Sequence, residues 1–232
     1  MTVSEKSRIV SWILKCVVIL SAAAGTAMSA FAGGRSFMGG RAVFMYFTIQ
    51  SNLAIAVICA VGAVLLLKNR VIGHAWYVIK FVGTVAITLT GVVFCFVLAP
   101  TMGNAAWNMQ NILTHVVVPL FSVADFFVTG VFGSVRKRSV FFVLLPPLAY
   151  VIYAGVGFVR GWHFGGGRNY PYFFLNWGSP AGAFGFTDAL PFMGCVWWIL
   201  VLMVFLLLIG CLYLSVVHAI QRRAFRETAH EN

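Results

Sequence analysis

The stretch PFMGCVWWILVLMVFLLLIGCLYLSVVHA, residues 191–219, runs without a single Asp, Glu, Lys or Arg. A helix needs about 20 mostly apolar residues to cross the hydrocarbon of a bilayer, so this run is long enough alone. Five stretches of the same character precede it, at about 9–33, 42–67, 74–99, 106–133 and 139–159. Over the 232-residue chain 61% of residues are hydrophobic and 9% charged, against roughly 45–50% and about 25% in soluble domains. Such a chain cannot cover a water-facing surface. A soluble enzyme, a nucleic-acid-binding domain and a disordered protein are all excluded. The expected fold class is an all-α integral membrane protein. It would form one domain over 1–232, with six transmembrane helices and a long outer loop, 160–190, between helices 5 and 6.

Most separators are short and turn-like: Gly33-Gly34-Arg35, Lys68-Asn69-Arg70, Pro100-Thr101-Met102-Gly103-Asn104 and Arg136-Lys137-Arg138. The 160–190 segment is too long for a simple connector, and its Gly and aromatic content suits a lid. Its Trp162, Phe173, Phe174, Trp177 and Phe184 suit the water–lipid boundary, where aromatic rings settle. Ala30-Phe31-Ala32 resembles a signal-peptide cleavage site, but about 20 apolar residues precede it, beyond the usual ~7–15. A retained membrane helix is expected there.

The net charge of +11 reports orientation rather than phosphate binding, because the basic residues sit in small groups between apolar runs. Lys6, Arg8, Lys68, Arg70, Arg136, Lys137, Arg138, Arg222, Arg223 and Arg226 fall on one side of a six-span layout, ten in all. Only Arg35, Arg41, Arg160 and Arg168 fall on the other. The positive-inside rule then predicts a multi-pass cell-membrane protein with both termini cytoplasmic. The five cysteines lie inside apolar runs with no CxxC pattern, so neither a disulfide framework nor structural zinc is expected. No cofactor, metal or nucleic-acid partner is implied.

Polar groups in hydrocarbon are costly and therefore informative. Asn108, Asn111, His115, Ser122 and Asp125 fall on one stripe of the fourth span, and Thr48, Ser51 and Asn52 share a face of the second. Lys80, Thr84, Thr88, Gly91 and Cys95 make a small-residue face on the third, suited to close packing. At ~1.5 Å per residue Thr48 lies about 9 Å, and His115 about 14 Å, below the outer boundary, so a Thr–His contact is geometrically open. Lys15, Lys80 and Asp125 fall at a second level, about 9–12 Å from the inner boundary. Lys80 or Lys15 is expected to pair with Asp125 as a structural ion pair.

Tyr46-Phe47-Thr48-Ile49-Gln50-Ser51-Asn52-Leu53 resembles the YFTIQSN signature of the bacterial probable-six-transmembrane-region membrane proteins. Leu113-Thr114-His115-Val116-Val117-Val118-Pro119-Leu120, with Asp125 after it, resembles that family's second block, and Tyr170-Pro171-Tyr172-Phe173-Phe174-Leu175-Asn176 its third. The family is similar in layout to the androgen-induced-gene and androgen-dependent TFPI-regulating proteins. Those are membrane threonine hydrolases of fatty acid esters of hydroxy fatty acids. The resemblance implies a catalytic Thr48 and His115, and a membrane lipid or fatty-acyl ester as ligand.

The residue types suit that chemistry. Ester hydrolysis needs a nucleophile, a base and donors for the developing oxyanion. Thr48 offers a stiffly held hydroxyl, and His115 is the only histidine well inside a span. Asn111, one turn earlier, is placed to set the His115 tautomer. Ser51, Asn52, Tyr170 and Tyr172 are candidate oxyanion donors. Arg35, Arg41 and Arg168 are candidates for a substrate carboxylate, which guanidinium binds bidentately. Two readings stay open: an intramembrane lipid-ester hydrolase, and a non-catalytic lipid-binding or transport protein whose polar stripe lines a cavity. In the second, Thr48 back-bonds to its own helix, as a Thr in a membrane helix commonly does.

Overall fold

The computed structural model describes residues 5–31, 40–68, 73–129 and 135–230, with side chains described as far as 223. Among these residues, six helices are long and apolar enough to cross a membrane. They are α1 (Glu5–Phe31), α2 (Phe47–Leu67), α3 (His74–Ala106), α4 (Met109–Thr129), α5 (Lys137–Val159) and α6 (Cys195–His230). The architecture is all-helical among the described residues, as a multi-pass membrane protein requires.

The helices depart from the apolar stretches in several places, and prolines are the cause in α3, α4 and α5. The second stretch begins at 42, but Gly40–Met45 is a 3-10 helix and α2 itself starts at Phe47. Thr48 is therefore in the first turn of its helix rather than about 9 Å down it. The first part of α5, Lys137–Leu144, is also 3-10. Pro146 and Pro147 lack the N–H groups that would close α-helical bonds to Phe142 and Val143, so regular helix begins only at Leu145. The expected turn at 100–104 is helical as far as Met102, with the reversal starting at Gly103, whose φ is 58°. Two π-helical turns, Phe94–Leu98 in α3 and Leu113–Val117 in α4, each end two residues before a proline, Pro100 and Pro119. Widening the turn relieves the clash between a proline ring and the carbonyl four residues earlier.

The helices α1 to α4 pack around one another, with Val18, Ala22, Ile55, Cys59, Ile87 and Val118 filling the space between them. A larger aromatic core joins α3 and α4 to α5, α6 and the 160–194 segment through Phe81, Phe126, Phe164, Tyr172, Phe174 and Leu206. On α6, Leu200, Val204, Leu208 and Leu212 recur every four residues and are at least half exposed. A continuous apolar stripe of this kind suits contact with lipid.

The 160–194 segment is packed rather than draped. Phe164, Tyr172, Phe174, Leu175 and Ala181 are all buried, so this segment forms a plug in the end of the bundle. Phe174, expected at a water–lipid boundary, instead stacks on Tyr172 with centroids 5.1 Å apart and planes 4° apart. Phe184 does stay outside. The difference lies in the neighbours: Tyr172, Phe173 and Trp198 enclose Phe174, whereas Phe184 meets the exposed Trp197.

Candidate active site

His115 sits in the middle of the π-turn of α4. Pro119 has no N–H to return to the His115 carbonyl, and α3 approaches this spot through Gly91. A Cβ on Gly91 would lie 2.9 Å from the His115 carbonyl oxygen and 3.1 Å from Pro119 Cβ and Cγ. Only glycine fits without a shift. Phe94, which opens the π-turn of α3, stacks on the imidazole at 3.9 Å between centroids and 21° between planes. Trp107 meets Phe94 edge-on at 5.7 Å. The ring is thus fixed by backbone geometry on one side and aromatic packing on the other.

The partners of His115 decide its tautomer. Nδ1 lies 3.1 Å from the Asn111 carbonyl oxygen and 3.0 Å from Thr114 Oγ1. Thr114 already donates its proton to the Gln110 carbonyl at 2.8 Å. A carbonyl only accepts, and this hydroxyl is committed, so Nδ1 must carry the hydrogen. Nε2 is left with its lone pair, and it lies 3.3 Å from Thr48 Oγ1. Asn111 acts here through its main chain, since its side-chain amide donates to the Ala106 carbonyl at 2.9 Å.

Thr48 is buried at the start of α2, where the first backbone N–H groups have no partner within the helix. Its amide donates to the Tyr172 hydroxyl at 3.3 Å, and its Oγ1 is 3.4 Å from the same oxygen. The hydroxyl therefore faces His115 and Tyr172 rather than a carbonyl of its own helix. Burial pushes the Tyr172 phenol above its ordinary range, so it stays protonated. The neighbouring aromatic rings hold it: Tyr46 lies edge-on at 5.6 Å, with its own hydroxyl donating to the Phe164 carbonyl at 2.7 Å. Tyr150 is 6.2 Å away between centroids and donates to the Met45 carbonyl at 3.0 Å.

Ser51 and Asn52, offered by the sequence as oxyanion donors, are brought to the site in another role. Ser51 Oγ lies 3.0 Å from the Thr48 carbonyl and 2.7 Å from Thr90 Oγ1. Asn52 Nδ2 donates to the Thr48 carbonyl at 2.8 Å and to the Thr114 carbonyl at 3.1 Å. Asn52 thereby clamps the backbone of the Thr48 turn to the backbone beside His115. Of the two tyrosines, it is Tyr172 that reaches Thr48; Tyr170 is only half-buried. Arg41 and Arg168 are exposed, and Arg35 lies outside the described residues.

An apolar cavity of about 60 Å³ adjoins Thr48 and Tyr172. Thr48, Thr90, Tyr150 and Tyr172 supply its only polar side chains. Leu89, Val93, Pro147, Val151, Leu202 and Met203 line the remainder toward α3, α5 and α6.

Deeper in the bundle, Asp125 meets both lysines at once. Lys15 Nζ lies 2.6 Å from Oδ1 and Lys80 Nζ 2.8 Å from Oδ2, with all three side chains buried. Ser11 Oγ donates to Oδ1 at 2.6 Å. Asp125 is engaged there and not with His115.

Sequence alone pointed to neither Phe94 nor Tyr150, each one of many aromatics. Gly91 and Thr114 stood in stretches already noted, but nothing in the sequence joins them to His115. No protein-family model, curated protein or solved structure matches this chain.

Proposed function

We propose that the chain is an intramembrane hydrolase of lipid esters, with Thr48 as nucleophile and His115 as general base. The observation that carries this reading is the 3.3 Å contact from Thr48 Oγ1 to the unprotonated Nε2 of a histidine whose other nitrogen is held by Asn111 and Thr114. A nucleophile, a base and an orienting group in sequence are what acyl transfer needs. The orienting group is a carbonyl dipole rather than a carboxylate.

In the first half-reaction Thr48 Oγ1 attacks the ester carbonyl carbon and its proton passes to His115 Nε2. The oxyanion formed is met by the Tyr172 hydroxyl and, once that phenol swings from it, by the Thr48 amide at the helix start. The imidazolium returns the proton to the leaving alkoxide, the C–O bond breaks, and an alcohol and acyl-Thr48 result. Water, losing a proton to His115, then releases the carboxylic acid and restores the threonine. The apolar cavity suits the acyl chain. A bilayer substrate fits the six apolar helices, and the distribution of basic residues favours cytoplasmic termini in the cell membrane, with this site in the outer half. The substrate class we favour is a fatty acid ester of a hydroxy fatty acid, from the likeness of the Thr48 and His115 blocks to membrane threonine hydrolases.

A second reading, lipid holding or transport without chemistry, draws on a separate groove of about 730 Å³. It is lined by Phe47, Ala54, Val78, Val82, Phe142 and Leu145 among others. Assay of purified protein on long-chain esters separates the two. Thr48→Ala and His115→Ala should each lose about 100-fold or more in kcat while keeping the thermal midpoint of the parent. Wild-type rates in both variants, or no hydrolysis by any form, would leave the binding reading standing.

A further inference from the structure

The charges at the second level do not balance. Two lysines and one aspartate are buried together, and the described residues of this cluster supply no further carboxylate. Lys80 is fully engaged: it is ion-paired with Asp125 Oδ2 and donates to the Asp125 carbonyl at 3.0 Å and to Thr129 Oγ1. Lys15 gives two of its three N–H groups to Ser11 Oγ and Asp125 Oδ1. Its third has no partner among the described residues. A small cavity of about 20 Å³ lies against these groups, lined by Lys15, Lys80, Asp125, Cys59 and Ser122. Ser122 is 2% exposed, and its hydroxyl has no hydrogen-bond partner.

An unbalanced ammonium and an unused hydroxyl in one buried cavity are two donors awaiting one acceptor. A net buried charge is costly until it is neutralised. We infer that this cavity binds a small monovalent anion of chloride size, held by Lys15 Nζ and Ser122 Oγ. About 10–15 Å³ of such space holds one water-sized particle, so this cavity is on the scale of a single small ion and excludes a phosphate or a fatty-acid headgroup. Asp125 Oδ2 has no hydrogen bond of its own, but the single carboxylate charge in the wall is outweighed by the two ammonium groups 2.6 and 2.8 Å from it. Leu66, Trp76 and Tyr77 form the end of the cavity nearest the N-terminus. There Arg8 donates to the Leu66 carbonyl at 2.9 Å and adds positive potential to the entrance.

A ligand that binds only the folded state raises the thermal midpoint. Purified protein in detergent should therefore melt several degrees higher in sodium chloride than in sodium gluconate of equal ionic strength, and should broaden the 35Cl resonance of the buffer. Ser122→Ala should fold and shrink both effects. Lys15→Met should fold as well, because Lys80 and Asp125 remain as a balanced pair, and should abolish them. Equal melting of the parent in the two salts, or a chloride effect that survives unchanged in both variants, would overturn the assignment. The first result would mean that water fills the cavity and one lysine is neutral.

Discussion

The bundle holds two buried polar clusters that solve the same problem by opposite means. The Thr48–His115 cluster carries no formal charge and is stabilised by hydrogen bonds to carbonyls, a stacked ring and a tyrosine plug. The Lys15–Asp125–Lys80 cluster is made of formal charges drawn from three helices. Neutral groups cost less to bury and are easily left one bond short, which suits a site that must exchange partners. Charges cost much more, so leaving one of them without a counter-charge is expressed in folding. The lesson is a division of labour: one level is available for chemistry and the other locks α1, α3 and α4 together.

The contrast is most sharply broken at Asp125. Asp125→Asn leaves two buried ammonium groups facing a neutral amide, and should destabilise the protein by about 3–5 kcal/mol, read as a collapse of the thermal midpoint or of folded yield. Retention of parental stability would show that the charged level is not a lock. Tyr172→Phe tests the neutral level, and its effect should appear in rate: a fall in kcat of about 100-fold with the melting curve little moved. Gly91→Ala joins the two behaviours. Its new methyl pushes on the His115 carbonyl, so stability should drop by about 1–3 kcal/mol and ester cleavage should fall with it. Ser51→Ala should be mildest, costing about 1 kcal/mol by unequal-temperature melting against the parent, with kcat within a few fold.

Much of the architecture was legible because polar residues are so rare here. Six apolar stretches mark six helices, but hydropathy does not register helix type: the start of α5 ahead of Pro146 and Pro147 is 3-10, and a π-turn precedes Pro119 inside α4. Thr48, His115, Lys15, Lys80 and Asp125 stood out against hydrocarbon for the same reason. The supporting cast was not legible. Choosing Tyr172 over Tyr170 depends on how the 160–194 segment enters the bundle, and Phe94 over another phenylalanine depends on two π-turns meeting. The placing of Asn52 and Ser51 near Thr48 could be read from spacing, but their partners on other helices, the Thr114 carbonyl for Asn52 and the Thr90 hydroxyl for Ser51, could not. Phe174 looked like a boundary residue because its chemistry suits both the boundary and a plug.

The π-turn around His115 also acts as a spacer in the genetic sense. It amounts to one residue inserted into an otherwise regular helix, and it lies between the two clusters on α4. Deleting a residue such as Val116 would return the turn to ordinary pitch and rotate all that follows by about 100°. Asp125 would swing away from its lysines while Asn111 stayed where it is. The register of a single extra residue thus sets the angular phase between the two polar clusters, and point substitutions can be tolerated here where a one-codon deletion cannot.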